Sequence, residues 1–100
     1  MIDLNRIAGF EWDDGNRRKN EDKHDVSPGE AEQVFLNTPL LLLHDTEHSA
    51  VEQRFHAYGK IHAGQLLQIA FTLRHDATIL RVISARPMSA KERIRYAKET

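Results

Sequence analysis

The stretch Val51–Lys60 alternates strictly. Val51, Gln53, Phe55, Ala57 and Gly59 fall on one side of an extended chain, and Glu52, Arg54, His56, Tyr58 and Lys60 on the other. The second set has chemistry to offer. A guanidinium forks onto two phosphate oxygens, an imidazole moves a proton near neutral pH, and a phenol stacks on a base or donates a hydrogen bond. Such groups suit a ribose-phosphate link, which carries its own nucleophile. The site then has to align the 2′-OH with the phosphorus, accept its proton and stabilise the crowded, charged transition state with Arg or Lys. The same alternation also fits a plain solvated face of an antiparallel sheet, and the residues alone leave both readings open.

Other chemistries find less support. The chain has no cysteine, which excludes disulfides, a thiol nucleophile and thiolate metal sites. The densest histidine cluster, His44-Asp45-Thr46-Glu47-His48, lacks the helical context of an H-E-x-x-H site and reads as a polar loop, so neither metal nor cofactor is expected. Ser49 and Ser84 lack the glycines of a nucleophile elbow, and no glycine-rich phosphate loop occurs. Asp13 and Asp14 suit the amide donors of a helix start, Glu21 and Asp22 a helix surface, and Lys23 and His24 the negative end of that helix.

Positioning these groups requires a sheet and its supports. Ile7–Trp12 reads as a strand and Asn16–His24 as a polar surface helix. Ser27-Pro28-Gly29-Glu30 has the spacing of a capping box, opening a helix to Leu36 with Ala31, Val34 and Phe35 on one stripe. Leu40–Leu43 reads as a short buried strand, followed by Val51–Lys60, Gln65–Leu73 and Thr78–Arg86 as an antiparallel meander. Ser89 and Glu92 repeat the capping spacing before a basic helix to about Lys98. Register puts Gln68, Ala70 and Thr72 beside Arg54, His56 and Tyr58, and Leu67, Ile69, Phe71 and Leu73 with Phe55 in the core. For the last strand both parities are apolar, so either Arg81 or the pair Ser84 and Arg86 could share the face of Arg54. The fold expected is α+β: an antiparallel sheet packed against two N-terminal helices, with a short basic C-terminal helix.

One hundred residues with 40% apolar letters support one domain spanning 1–100. The longest apolar run, Pro39–Leu43, is far too short to cross a bilayer, and Met1–Phe10 lacks the pattern of a secretion signal, so a cytoplasmic protein is expected. The net charge of −1 hides an asymmetry. Residues 1–73 carry 7 basic and 12 acidic side chains, whereas residues 74–100 carry 7 basic and 3 acidic ones. A polyphosphate responds to that local excess within a Debye length.

Phe10-Glu11-Trp12-Asp13, Lys23-His24 with Val26-Ser27, Glu30-Ala31, Val34-Phe35, Glu52-x-Arg54, Gly59, and Arg81-x-Ile83-Ser84-Ala85-Arg86 with Glu92 and Tyr96 together resemble the BrnT family of type II toxins. The resemblance runs from about Phe10 to Tyr96. It implies a compact RelE-like fold and a ribonuclease that arrests translation. It also implies a BrnA-type antitoxin, whose ribbon-helix-helix portion binds DNA so that the complex represses its own promoter. The family usually has Gly after Lys-His, where this chain has Asp25; Asp tolerates the left-handed conformation of a helix end. The reading that follows is a metal-independent endoribonuclease with Arg54, His56, Arg81 and Arg86 as catalytic candidates. Lys23, His24 and Tyr96 are candidates for substrate positioning. The competing reading is a non-catalytic antitoxin-binding module acting as co-repressor; a repressor acting alone lacks a helix-turn-helix signature.

Overall fold

The computed structural model describes residues 2–100, apart from the side chains of Asp14, Asn16 and Arg17. The second acidic group expected at the first helix start, Asp14, and the first helix's Arg17 therefore lie outside the described side chains. A 3₁₀ turn at Leu4–Arg6 precedes β1 (Gly9–Trp12), α1 (Asp14–His24) and α2 (Pro28–Gln33), the last continuing as a 3₁₀ turn over Val34–Leu36. Then come β2 (Leu41–Asp45), β3 (Arg54–Lys60), β4 (Leu66–Arg74), β5 (Ile79–Pro87) and α3 (Ala90–Glu99). One sheet holds all five strands in the order β1-β5-β4-β3-β2.

The helix starts follow from local chemistry. Asp13 accepts the Gly15 amide at 3.0 Å, as expected of an acid at the first turn of α1. Ser27 with Glu30, and Ser89 with Glu92, both form complete capping boxes. Asp25 takes the left-handed conformation, with φ 55°, and ends α1 where Gly would be the default.

Three expectations need correction. The sheet is mixed, because β1 runs parallel to β5. No hairpin joins these two strands, so turn geometry does not set their direction. The third strand begins at Arg54 and not at Val51: Ser49 Oγ accepts the Arg54 amide at 2.9 Å and donates to the Asp45 carbonyl at 2.5 Å, which closes a turn and leaves Val51 fully exposed. The second strand runs on through His44 and Asp45, which the polar HDTEHSA segment had suggested were loop.

The main core lies between one sheet face and α2. Leu67, Ile69 and Phe71 of β4, Leu80, Val82 and Ala85 of β5, and Ala57 of β3 meet Val26, Ala31 and Val34. Phe71 stands edge-on to Phe35 at 5.4 Å and stacked with Phe55 at 5.6 Å. Burying each of the large aliphatic and aromatic side chains is worth about 1.5–3 kcal/mol, so this face fixes the strands. On the opposite face α3 covers one end, where Tyr96 joins Met88, Tyr58, Leu41, Leu43 and Leu66. The rest of that face buries Asp45, Ala70 and Thr72 but opens to solvent at Arg54, His56, Arg81 and Ser84, which stay partly exposed.

Candidate functional site

On the open face, register lines up three rows of side chains. Asp45 lies opposite Arg54 and Thr72 opposite Arg81 in the first. Leu43, His56, Ala70 and Ser84 form the second, and Leu41, Tyr58, Gln68 and Arg86 the third. Neighbouring strands are about 4.8 Å apart, so each row is a line of contacting groups. Gln68, Ala70 and Thr72 thus fall beside Arg54, His56 and Tyr58, as the alternation implies.

Arg81 and the pair Ser84 and Arg86 both share this face, although they differ in parity. A bulge explains it: Ala70 pairs with Ser84 but Phe71 with Val82, leaving Ile83 as an extra residue that resets the alternation. Ala70 and Ser84 are short, so the middle row makes the floor of a trough between Arg54 and Arg81 on one side and Arg86 on the other.

Beyond Ser84 the trough meets α1. A cavity of about 180 Å³ is lined by Lys19, Asn20, Lys23, His24, Ile83 and Ser84. Asn20 anchors the helix there, accepting the Ala85 amide at 2.7 Å where β5 has run past its β1 partner. Burial lowers the His24 pKa, and the nearby Lys23 and Arg86 cations lower it further. Tyr96 stands apart: it is buried within the α3 contact and its hydroxyl donates to the Pro39 carbonyl at 2.5 Å.

The cations on the open face are not equally available. Arg81 pairs with Glu11 and lies 3.7 Å from Asp13. Arg86 forks onto both oxygens of Glu92 at 2.7 and 2.8 Å; these bonds, opposed by burial, hold the Glu92 carboxyl below the ordinary range. Arg74 and Arg95 are also paired, with Glu52 and Glu99; Glu11 and Glu52 lie outside residues 74–100, so their pairs with Arg81 and Arg74 offset part of that segment's basic excess. Arg54 has no ion pair among the described residues, and its Nε is buried without a partner, as is the Thr72 hydroxyl in the same row.

His56, 26% exposed, has its Nε2 3.1 Å from Asp45 Oδ2, within ion-pair distance. Burial lowers its pKa, Asp45 and Glu92 raise it, Arg86 and His48 lower it, and the net result lies below the usual histidine value. The imidazole is therefore neutral at pH 7 and able to take a proton. Sequence reasoning missed Asp45 by ending its strand at Leu43. The alternation Leu41, Leu43, Asp45 was the available signal. Among the described residues no group of three or more His, Asp or Glu is arranged to hold a metal.

A mixed five-stranded sheet with one face packed and the other carrying an arginine that has no ion pair among the described residues, beside a histidine of lowered pKa, defines a small α+β protein with a charged open face. The family described as the ribonuclease toxin BrnT of type II toxin-antitoxin systems matches residues 12–92, and the chain belongs to this family. Membership implies an antitoxin partner. The crystal structure of the Brucella abortus ribonuclease toxin BrnT superposes with a TM-score of 0.61 at 23% identity, covering 81% of this chain and 96% of that one, which shows a shared fold. No curated protein sequence matches the chain. Among the described residues no helix is long and apolar enough to cross a membrane.

Proposed function

We propose that the chain is a metal-independent endoribonuclease that inhibits translation by cutting RNA in the trough of the open sheet face. The observation that carries this reading is Arg54: a guanidinium without a carboxylate partner among the described residues, beside an unpartnered Thr72 hydroxyl and one step along the strand from a neutral imidazole. Arg54 is partly exposed, and a guanidinium that holds no carboxylate can fork onto a phosphate.

In this reading His56 takes the 2′-OH proton as the 2′-oxygen attacks phosphorus. The bond from phosphorus to the 5′-oxygen breaks, and the 5′-oxygen leaves with a proton from solvent. The products are a 2′,3′-cyclic phosphate and a 5′-hydroxyl. Arg54 carries the charge that builds on the non-bridging oxygens, and Arg81 and Arg86 border the trough as further contacts. Lys23 and His24 receive a neighbouring phosphate at the α1 cavity, while Tyr96 serves packing. The 2′-OH is the nucleophile, so no metal-activated water is needed, and this sufficiency is the basis for metal independence. The reading sets the activity in the cytoplasm, where mRNA is translated. The antitoxin is then of the BrnA type, with a ribbon-helix-helix portion that carries the pair to promoter DNA.

The test is RNA cleavage by purified, folded protein with and without EDTA. Arg54→Ala and His56→Ala are expected to slow cleavage by about 10²-fold or more, the size of a lost electrostatic or proton-transfer contribution, with Arg86→Ala slower than wild type as well. EDTA is expected to change nothing. Undiminished cleavage in all three variants removes the site, and a harmless protein on induction without the antitoxin removes the toxin activity.

A further inference from the structure

Asp45 stands at the end of β2, directly across from Arg54 and on the same face, yet its carboxylate makes no ion pair with that arginine. It turns instead to two imidazoles. Oδ2 lies 2.9 Å from His48 Nδ1 and 3.1 Å from His56 Nε2, and Oδ1 accepts the His48 amide at 3.3 Å. The side chain is 7% exposed, and the Ser49 hydroxyl, bridging the Asp45 carbonyl and the Arg54 amide, fixes its backbone. A buried carboxylate held at both oxygens is a rigid acceptor.

We propose that Asp45 is a positioning residue for His56: it fixes the proton on Nε2, so that Nδ1 is the nitrogen that accepts the 2′-OH proton. This rests on the nuclease reading above. The logic is electrostatic: a carboxylate held 3.1 Å from Nε2 favours the proton on that nitrogen over a lone pair facing the negative charge, which leaves Nδ1 as the basic one. Burial raises the Asp45 pKa, but the hydrogen bonds from His48 and the nearby imidazoles outweigh it and leave the carboxyl below its ordinary value, so it stays a carboxylate at neutral pH. The other charged groups acting on His56 are Glu92 of α3, Arg86 of β5 and His48 of the turn after β2, while the Tyr58 ring stands edge-on to it at 6.3 Å. Of all these, Asp45 is the one whose carboxylate lies within ion-pair distance of the ring among the described residues. His48 is 57% exposed and hydrogen-bonds the same oxygen from outside, which holds the carboxylate in place beside His56.

The experiment compares Asp45→Asn, Glu47→Ala and His56→Ala as full chains, in RNA cleavage over pH 5–9 and in NMR measurement of the histidine nitrogens without RNA. Asp45→Asn is expected to lower kcat about 10- to 100-fold with KM little changed, and to move the acid limb of the pH profile to lower pH, because a charge that favours the imidazolium is gone. The wild-type His56 proton is expected on Nε2, and the variant is expected to mix both tautomers. Glu47→Ala, an exposed change in the same turn, should cleave within about twofold of wild type, which guards against a mere folding effect of disturbing the turn. Wild-type kcat and an unmoved acid limb in Asp45→Asn, or a His56 proton on Nδ1 in the wild type, overturns the positioning role alone. Full activity in His56→Ala overturns the nuclease site itself and the positioning role with it.

Discussion

Asn20 is 4% exposed in a helix that is otherwise charged or polar along its whole length. Its Oδ1 accepts the Ala85 amide at 2.7 Å and its Nδ2 donates to the Val26 carbonyl at 3.4 Å, so one side chain joins α1, the following loop and β5. The need arises because β1 pairs with residues 79–82 of β5 and stops, leaving the next stretch of that strand edge without a strand partner. Asn20→Ala is expected to lower stability by about 1–3 kcal/mol, the cost of a buried amide left unsatisfied, read as a lower urea midpoint. A midpoint equal to wild type would show that water replaces the side chain. Nothing in the sequence sets Asn20 apart from a solvated asparagine, because burial of a polar residue follows from where a strand ends and not from periodicity.

At the scale of elements, what was legible in the sequence is what local chemistry decides. Ser27 with Glu30 and Ser89 with Glu92 announce two helix starts, and the alternation through β3 and β4 gives which of their residues share the open face. The bulge in β5 was hidden: Val82 and Ile83 are adjacent and apolar, which reads equally as a strand buried on both sides. The strand pairing between β1 and β5 was hidden too, since it joins segments 70 residues apart with no turn to set direction. Asp45 was lost to a boundary error of two residues, and with it the partner of His56. The contact that seats α2 on β3 can be tested at Gly59. A Cβ there would lie 2.9 Å from Val34 Cγ1 and 3.4 Å from the Val34 carbonyl, and Val34 is fully buried and β-branched, with little room to turn. Gly59→Ala is expected to cost about 1–3 kcal/mol as overpacking. Combining it with Val34→Ala should give a loss smaller than the two single losses together, measured by a double-mutant cycle. Simple additivity would mean that the strain is relieved elsewhere.

Over the whole molecule, the open face is tied together by charges from distant parts of the chain: Glu11 of β1 with Arg81 of β5, Glu92 of α3 with Arg86, and Asp45 of β2 with His48 and His56. Protons therefore act on fold and activity at once. His24 and His56 have lowered pKa values, in both cases first through burial, so the unfolded chain takes up protons near pH 6.5 that the folded chain refuses. Their contribution to stability is complete above that pH and is lost as pH falls through the folded values. Asp45 and Glu92 also have lowered values, their hydrogen bonds overcoming burial in each case. Their contribution is complete above the ordinary carboxylate range near pH 4 and is lost as pH falls through the folded values below it. The urea midpoint should accordingly decline in two stages, from pH 7 through pH 5.5 and again below about pH 4. His56→Gln should flatten the first stage, since it removes one of the two imidazoles that refuse a proton. A midpoint that rises between pH 7.5 and 5.5 would reverse the sign of this linkage and with it the assignment of His56 as a neutral base. Cleavage measured at the same pH values should fall on the acid side while the chain is still folded, because a single proton on His56 removes the base before the carboxylates that hold α3 and β2 begin to titrate.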